Sequence, residues 1–91
     1  MDFEWDERKN EADIAKHGIS FLSASRIFDG SITRFVDDRY DYRETRFIAT
    51  GVVEGMEITV VYTMRGNTYR IISARRASRS ERRAYRQIFP R

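Results

Sequence analysis

Ninety-one residues, 41% of them hydrophobic, are enough for one domain with one modest core. The absence of cysteine excludes disulfides, zinc–thiolate sites and a cysteine nucleophile, and a lone histidine, His17, excludes a histidine-cluster metal site. The net charge of +3 is unevenly spread: residues 1–60 hold eight Lys or Arg against thirteen Asp or Glu, whereas residues 61–91 hold nine Arg against Glu81 alone.

The N-terminus, MDFEWDERKN, is acidic and polar, unlike a signal peptide, and no apolar run is long enough to span a membrane. With the lack of cysteine this fits a reducing cytoplasm. Phe3–Trp5 reads as a short strand. Asp6 can cap a helix to about Lys16, ended by cations at its C-terminal dipole and by Gly18. Ser20 can cap a second helix, in which Phe21, Ala24, Ile27 and Phe28 recur at helical spacing until Asp29–Gly30. Ile32–Val36 suits an edge strand, and DDRYDYRE after it suits a loop.

TRFIATGVV, MEITVVYTMR and TYRIISARR are β-rich runs separated by the turn pairs Glu54–Gly55 and Gly66–Asn67. Two-residue loops set Val53 opposite Met56 and Arg65 opposite Thr68. One face then carries Phe47, Ala49, Ile58, Val60, Tyr62, Met64, Tyr69 and Ile71 as a core. The other carries Arg46, Thr63 and Arg70 in one row. Strands lie about 4.8 Å apart, so the two Arg stems flank Thr63 at roughly 10 Å, a spacing suited to a phosphate or to ordinary surface arginines. In the same register Arg76 faces Glu57, which predicts a cross-strand pair.

SRSE, Ser78 to Glu81, fits the S-x-x-E capping box at a helix start. Ala84, Tyr85, Ile88 and Phe89 share a stripe with Glu81, Arg79, Arg82, Arg83 and Arg86 form the adjacent one, and Pro90 terminates the helix. These elements predict one α+β domain over residues 1–91: two N-terminal helices, an antiparallel sheet of three to four strands and one C-terminal helix.

Neither a phosphate loop nor a serine–histidine pair is visible in this chain. RNA brings its own nucleophile, the 2′-hydroxyl, so its cleavage needs no metal, cofactor or covalent enzyme residue. It needs a base, positive charge on the phosphate and a proton donor for the leaving oxygen. Glu81 is a candidate base, arginines supply the charge, and Tyr85, one turn from Glu81, can bind a nucleobase or assist proton transfer. Each residue also has a structural reading: Glu81 closes the capping box, Tyr85 fits the core, and His17 suits a helix C-terminal cation.

FEWDERKNEADIAKHGISF followed by ISARRASRSERRAY resembles the BrnT toxin family of type II toxin–antitoxin systems from Phe3 to about Tyr85. The shared pattern is W-D-x-x-K, K-H-G-[IV]-S-F, a central R-x-x-x-x-G and the I-S-A-R-R-A-S/T-x-x-E-R-R-x-Y tail, in that order. The resemblance implies a RelE-like fold, RNA cleavage that stops translation, and a BrnA antitoxin with a ribbon-helix-helix domain through which the complex reaches operator DNA. It also implies that Lys9, His17, Arg46, Arg75 and Glu81 occupy family motif positions. Asp13 stands where the pattern usually has Asn, a change that touches packing or capping more than the site.

The expected function is therefore a metal-independent endoribonuclease. Its expected catalytic residues are Arg46, Arg75, Glu81 and Tyr85, and its RNA-binding residues Lys9, His17, Arg70, Arg76, Arg79 and Arg83. The alternative is a nucleic-acid-binding module that uses the same arginines without catalysis. Strict alternation puts Arg75 on the core face and Arg76 with Arg46, and a β-bulge reverses that assignment. The arginine that meets the scissile phosphate stays open between the two.

Overall fold

Two tight turns organise the sheet, in a computed structural model that describes all 91 residues. At the first, Glu54 and Gly55 both take positive φ, 50° and 79°, as a two-residue type I′ loop requires. At the second, Gly66 alone does, with φ 62°. They join β3 (Arg46–Val53), β4 (Met56–Arg65) and β5 (Thr68–Arg76), with Val53 opposite Met56 and Arg65 opposite Thr68 as expected. β2 (Thr33–Asp37) lies antiparallel along β3 as an edge strand.

The sheet is larger than expected, with five strands in place of three or four, and it is mixed. β1 (Asp2–Trp5) pairs parallel with β5, giving the order β1-β5-β4-β3-β2. The pairing of Asp2 with Thr68 spans most of the chain, so no local pattern announces it.

α1 (Glu7–His17) starts at Asp6, whose carboxylate accepts the Arg8 N–H, and ends at Gly18 with φ 74°. α2 (Phe21–Ser25) starts at Ser20 and tightens into a 3₁₀ turn over Arg26–Asp29. α3 (Arg79–Ile88) opens with the complete capping box, Ser78 and Glu81 exchanging side-chain to backbone bonds. No helix is long and apolar enough to cross a membrane.

The core lies on the α2 side of the sheet. Phe21, Ala24 and Ile27 are wholly buried there with Ala49, Val60 and Ala74, and Tyr62 and Ile71 are nearly so. Gly51 makes this packing possible, because a Cβ there would lie 2.7 Å from Ile27 Cβ. α1 runs beside β5, where β1 has ended and leaves a bare strand edge. Asp13 serves that edge by accepting the Ala74 N–H at 3.0 Å, and Lys9 neutralises it at 2.7 Å. The Asp for Asn change at this position is thus held within a helix-to-sheet contact.

A bulge in β5 alters the far end of the sheet. Tyr62 pairs with Ile71 but Val61 pairs with Ser73, so Ile72 is the extra residue. Beyond it every side chain changes face: Ala74 turns into the core and Arg75 turns outward, opposite Thr59. The expected Arg76–Glu57 pair is corrected by the same shift. Arg76 lies opposite Ile58, and Glu57 is held instead by Arg86 and Arg91.

Candidate functional site

The face opposite the core is polar, and α3 covers one end of it. Tyr85 anchors the helix: it is buried, its ring packs 5.2 Å from Phe89, and its hydroxyl donates to the Ser31 carbonyl at 2.8 Å. Burial pushes its phenol above the ordinary value. This hydroxyl is therefore committed to holding α3, which matches the core reading of the stripe.

Under the helix, Glu81 gathers four donors. Arg75 meets it with two parallel N–H bonds, at 2.7 Å to Oε1 and 2.9 Å to Oε2. Oε1 also accepts the Ser78 N–H at 2.8 Å and the Thr59 hydroxyl at 3.0 Å. Thr59 has one hydroxyl hydrogen and gives it to Glu81, so Thr50, 2.8 Å away, must be the donor in the bond between the two threonines. The result is a directed chain from Thr50 through Thr59 to Glu81.

Burial alone would raise the Glu81 carboxyl, but the Arg75 fork, the Ser78 N–H and Thr59 outweigh it and hold it down at about 2. Glu81 in turn raises the Arg75 guanidinium. A carboxylate this acidic, with three donors on Oε1 and one on Oε2, is a poor proton acceptor and a good orienting partner for an arginine. Arg75 keeps N–H groups beyond those given to Glu81, and its side chain is 37% exposed.

The row predicted from the turns is present and longer than expected. Arg46, Thr63 and Arg70 lie side by side, with Asp37 beyond Arg46 and Glu4 beyond Arg70, so it crosses all five strands. Thr63 is buried between the arginines and donates to the Thr45 carbonyl at 2.6 Å. Arg70 pairs with Glu4, while Arg46 pairs with Glu44 at 3.0 Å and lies over the Tyr42 ring, 4.0 Å from its centroid. Arg75 is four residues along β4 from this row, roughly 13 Å away on the same face.

The loop before β3 folds against that face. Asp37, buried at the end of β2, takes both N–H groups of the Arg39 fork at 2.8 and 2.9 Å and the Tyr42 hydroxyl at 3.1 Å. Arg39 holds the Asp37 carboxyl well below the usual carboxylate range. The loop thereby places Tyr42 under Arg46. Alternation in the loop carries no sign of these contacts, whereas the Thr50–Thr59 pair follows directly from the Glu54–Gly55 turn.

Of the expected site residues, the fold brings Arg75 and Glu81 into contact and sets Arg46 and Arg70 on the same face. Arg79 and Arg83 lie on the exposed side of α3, and Arg76 is exposed at the end of β5. Lys9 and His17 lie on α1 beside the β5 edge and share no hydrogen bond or ion pair with the Arg75–Glu81 pair. No group of three acidic or histidine side chains is arranged to hold a metal ion.

A family profile described as "Ribonuclease toxin, BrnT, of type II toxin-antitoxin system" matches residues 5–81, which include both halves of this site. No curated protein matches the chain.

Proposed function

The chain belongs to the BrnT family of ribonuclease toxins of type II toxin–antitoxin systems, and from that premise we propose a metal-independent endoribonuclease that works on the polar sheet face. One observation carries the proposal. The bulge at Ile72 turns Arg75 onto the face that already holds Arg46 and Arg70, and Glu81 fixes it there through two bonds.

With Glu81 and Tyr85 engaged in holding the site, charge stabilisation falls to the arginines and both proton transfers to water. The RNA 2′-hydroxyl attacks the adjacent phosphorus and gives its proton to water, the bond from phosphorus to the 5′-oxygen breaks, and that oxygen takes a proton from water. The products are a 2′,3′-cyclic phosphate and a 5′-hydroxyl. Negative charge builds on the phosphate oxygens in between, and guanidinium groups already in place stabilise it without reorganising. In this reading Arg75 meets the scissile phosphate and Arg46 and Arg70 seat its neighbours. Arg46 and Arg70 are held by half-buried ion pairs worth about 1 kcal/mol each, so an approaching phosphate displaces Glu44 and Glu4 at small cost. The bulge that brings Arg75 to this face turns Arg76 to the other side of the sheet, and Lys9 and His17 lie on α1 with Lys9 paired to Asp13, so these three stand outside the proposed phosphate seat. Glu81 positions Arg75, and Tyr85 fixes the helix that carries Glu81.

Cleaving cytoplasmic RNA stops translation, so the activity must be restrained. A BrnA-type antitoxin does this by covering the arginine surface, and its ribbon-helix-helix domain carries the complex to operator DNA. A second reading, RNA binding without cleavage, is favoured by the low basicity of Glu81. Incubating the purified chain with RNA in excess EDTA separates the two. The proposal expects cleavage with cyclic-phosphate ends, and no cleavage where the attacking 2′-hydroxyl is replaced by hydrogen. Intact RNA under all conditions supports the binding module, and cleavage of the deoxy-substituted site overturns the chemistry.

A further inference from the structure

α3 carries a second arginine surface that the proposed cleavage site does not use. Arg79, Arg82, Arg83, Arg86 and Gln87 line an open groove of about 420 Å³. At about 3.6 residues per turn these five positions recur on one side of the helix, turned away from the side on which Glu81 and Tyr85 meet the sheet. The groove and the Arg75–Glu81 pair therefore lie on different sides of α3.

Two of the four guanidinium groups are fixed. Arg82 donates to the Ala77 carbonyl at 2.8 Å, and Arg86 grips Glu57 with bonds of 2.9 and 2.7 Å. Arg79 and Arg83 are exposed and have no ion-pair or side-chain hydrogen-bond partner. Arg79 with Arg83 and Arg82 with Arg86 are like-charge pairs one turn apart, an arrangement that weakens an isolated helix. A polyanion relieves that repulsion. No hydrophobic residue lines the groove, so a protein partner would find none of the apolar anchors that concentrate binding energy at protein interfaces. A phosphodiester chain needs none, because its affinity comes from phosphate contacts and counterion release.

We infer that the outer side of α3 is a docking site for the RNA backbone, separate from the place of cleavage. This inference rests on the reading of RNA as substrate. It assigns to the groove the capture of RNA and to the sheet face the cut, so loss of the groove raises KM and leaves kcat alone.

The test uses the full chain with Arg79→Ala and Arg83→Ala combined. Both side chains are exposed and unpartnered, so the variant keeps its fold, which thermal unfolding verifies. KM and kcat are measured on a long RNA, and Kd on a 2′-O-methyl RNA that cannot be cut. The expected result is KM and Kd raised on the order of tenfold at low salt, with kcat unchanged. The slope of log affinity against log salt should shrink by about 0.7 for each lost contact to a single strand. The Arg79→Lys, Arg83→Lys chain keeps the charge and should recover most of that slope.

Unchanged KM, Kd and salt slope in the alanine variant overturn the docking site and leave the proposed cleavage intact. Loss of kcat at constant KM also overturns it, because the groove would then act in the chemical step. Weaker binding of a poly-glutamate peptide with unaltered RNA binding assigns the groove to an acidic protein and overturns it too. If the native chain binds methylated RNA through the groove yet never cuts ordinary RNA, the docking site stands and the cleavage proposal fails.

Discussion

The two faces of the sheet come from the same strands and have opposite characters. On the α2 side, Ala49, Val60, Tyr62, Ile71 and Ala74 pack into a dry core in which even a methyl group at Gly51 would collide. On the other side, Thr50, Glu57, Thr59 and Thr63 are buried polar residues, and no buried side-chain nitrogen or oxygen lacks a partner. Apolar burial, which has no direction, stabilises the first face, whereas the second requires that each donor find its acceptor. A core tolerates exchange of similar shapes. The polar face instead depends on the direction of each bond, as in the two parallel bonds that hold Arg75 on Glu81.

The largest expected effect breaks the apolar face. Phe21 is wholly buried against the sheet, and Phe21→Ala should cost about 3–5 kcal/mol in urea unfolding. A loss below about 1 kcal/mol would mean that α2 is not part of the core. Breaking the polar face at its buried carboxylate comes next. Arg86→Ala strands Glu57, whose side chain is only 4% exposed. Because Arg91 remains 3.5 Å from it, the cost should be about 1–3 kcal/mol, less than for a lone buried charge.

Acid should separate the faces without mutation. The Glu81 carboxyl sits at about 2 against an ordinary 4.5, and Glu57 is also lowered, chiefly by Arg86. A depressed carboxyl contributes its full stability above its unfolded value and loses it as pH falls through the folded one. Unfolding free energy should therefore drop as pH falls from about 4.5 towards 2. Glu81→Gln should flatten that drop, and an equal drop in the Gln variant would remove Glu81 from the acid response. The smallest stability effect belongs to the two arginines of the cross-strand row, each with a side chain 27% exposed. Arg46→Ala and Arg70→Ala should each change unfolding by no more than about 1 kcal/mol. Both should weaken RNA binding and reduce its salt slope, and unaltered slopes would make the row an ordinary solvated surface.

Much of this division is legible in the amino-acid order. The turn pairs Glu54–Gly55 and Gly66–Asn67 set the register that puts Arg46, Thr63 and Arg70 in line, and SRSE marks the start of α3. The strand at Phe3–Trp5 is legible, but its parallel pairing with β5 is not, because the partner lies far along the chain and a short strand bears no mark of direction. The bulge left a faint trace. Tyr69 and Ile71 keep one phase with the core and Ala74 the other, and the doubled Ile71–Ile72 hides the step between them. That one inserted residue moves Arg75 from the core face to Glu81. The engagement of Glu81 by Arg75, Ser78 and Thr59 together is a tertiary property of three separate segments, and capping-box spacing alone reveals only the bond to Ser78.

In the proposed reaction Arg75, turned outward by the bulge and held by Glu81, stabilises charge on the scissile phosphate. The most direct test of that role is the single-turnover cleavage rate of a saturating RNA by Arg75→Ala, with folding verified by circular dichroism. The expected result is a fall of about 10²–10³-fold, the usual effect of removing one preorganised donor to a developing charge, with RNA affinity reduced far less. A folded Arg75→Ala chain that cuts RNA at the native rate would contradict it.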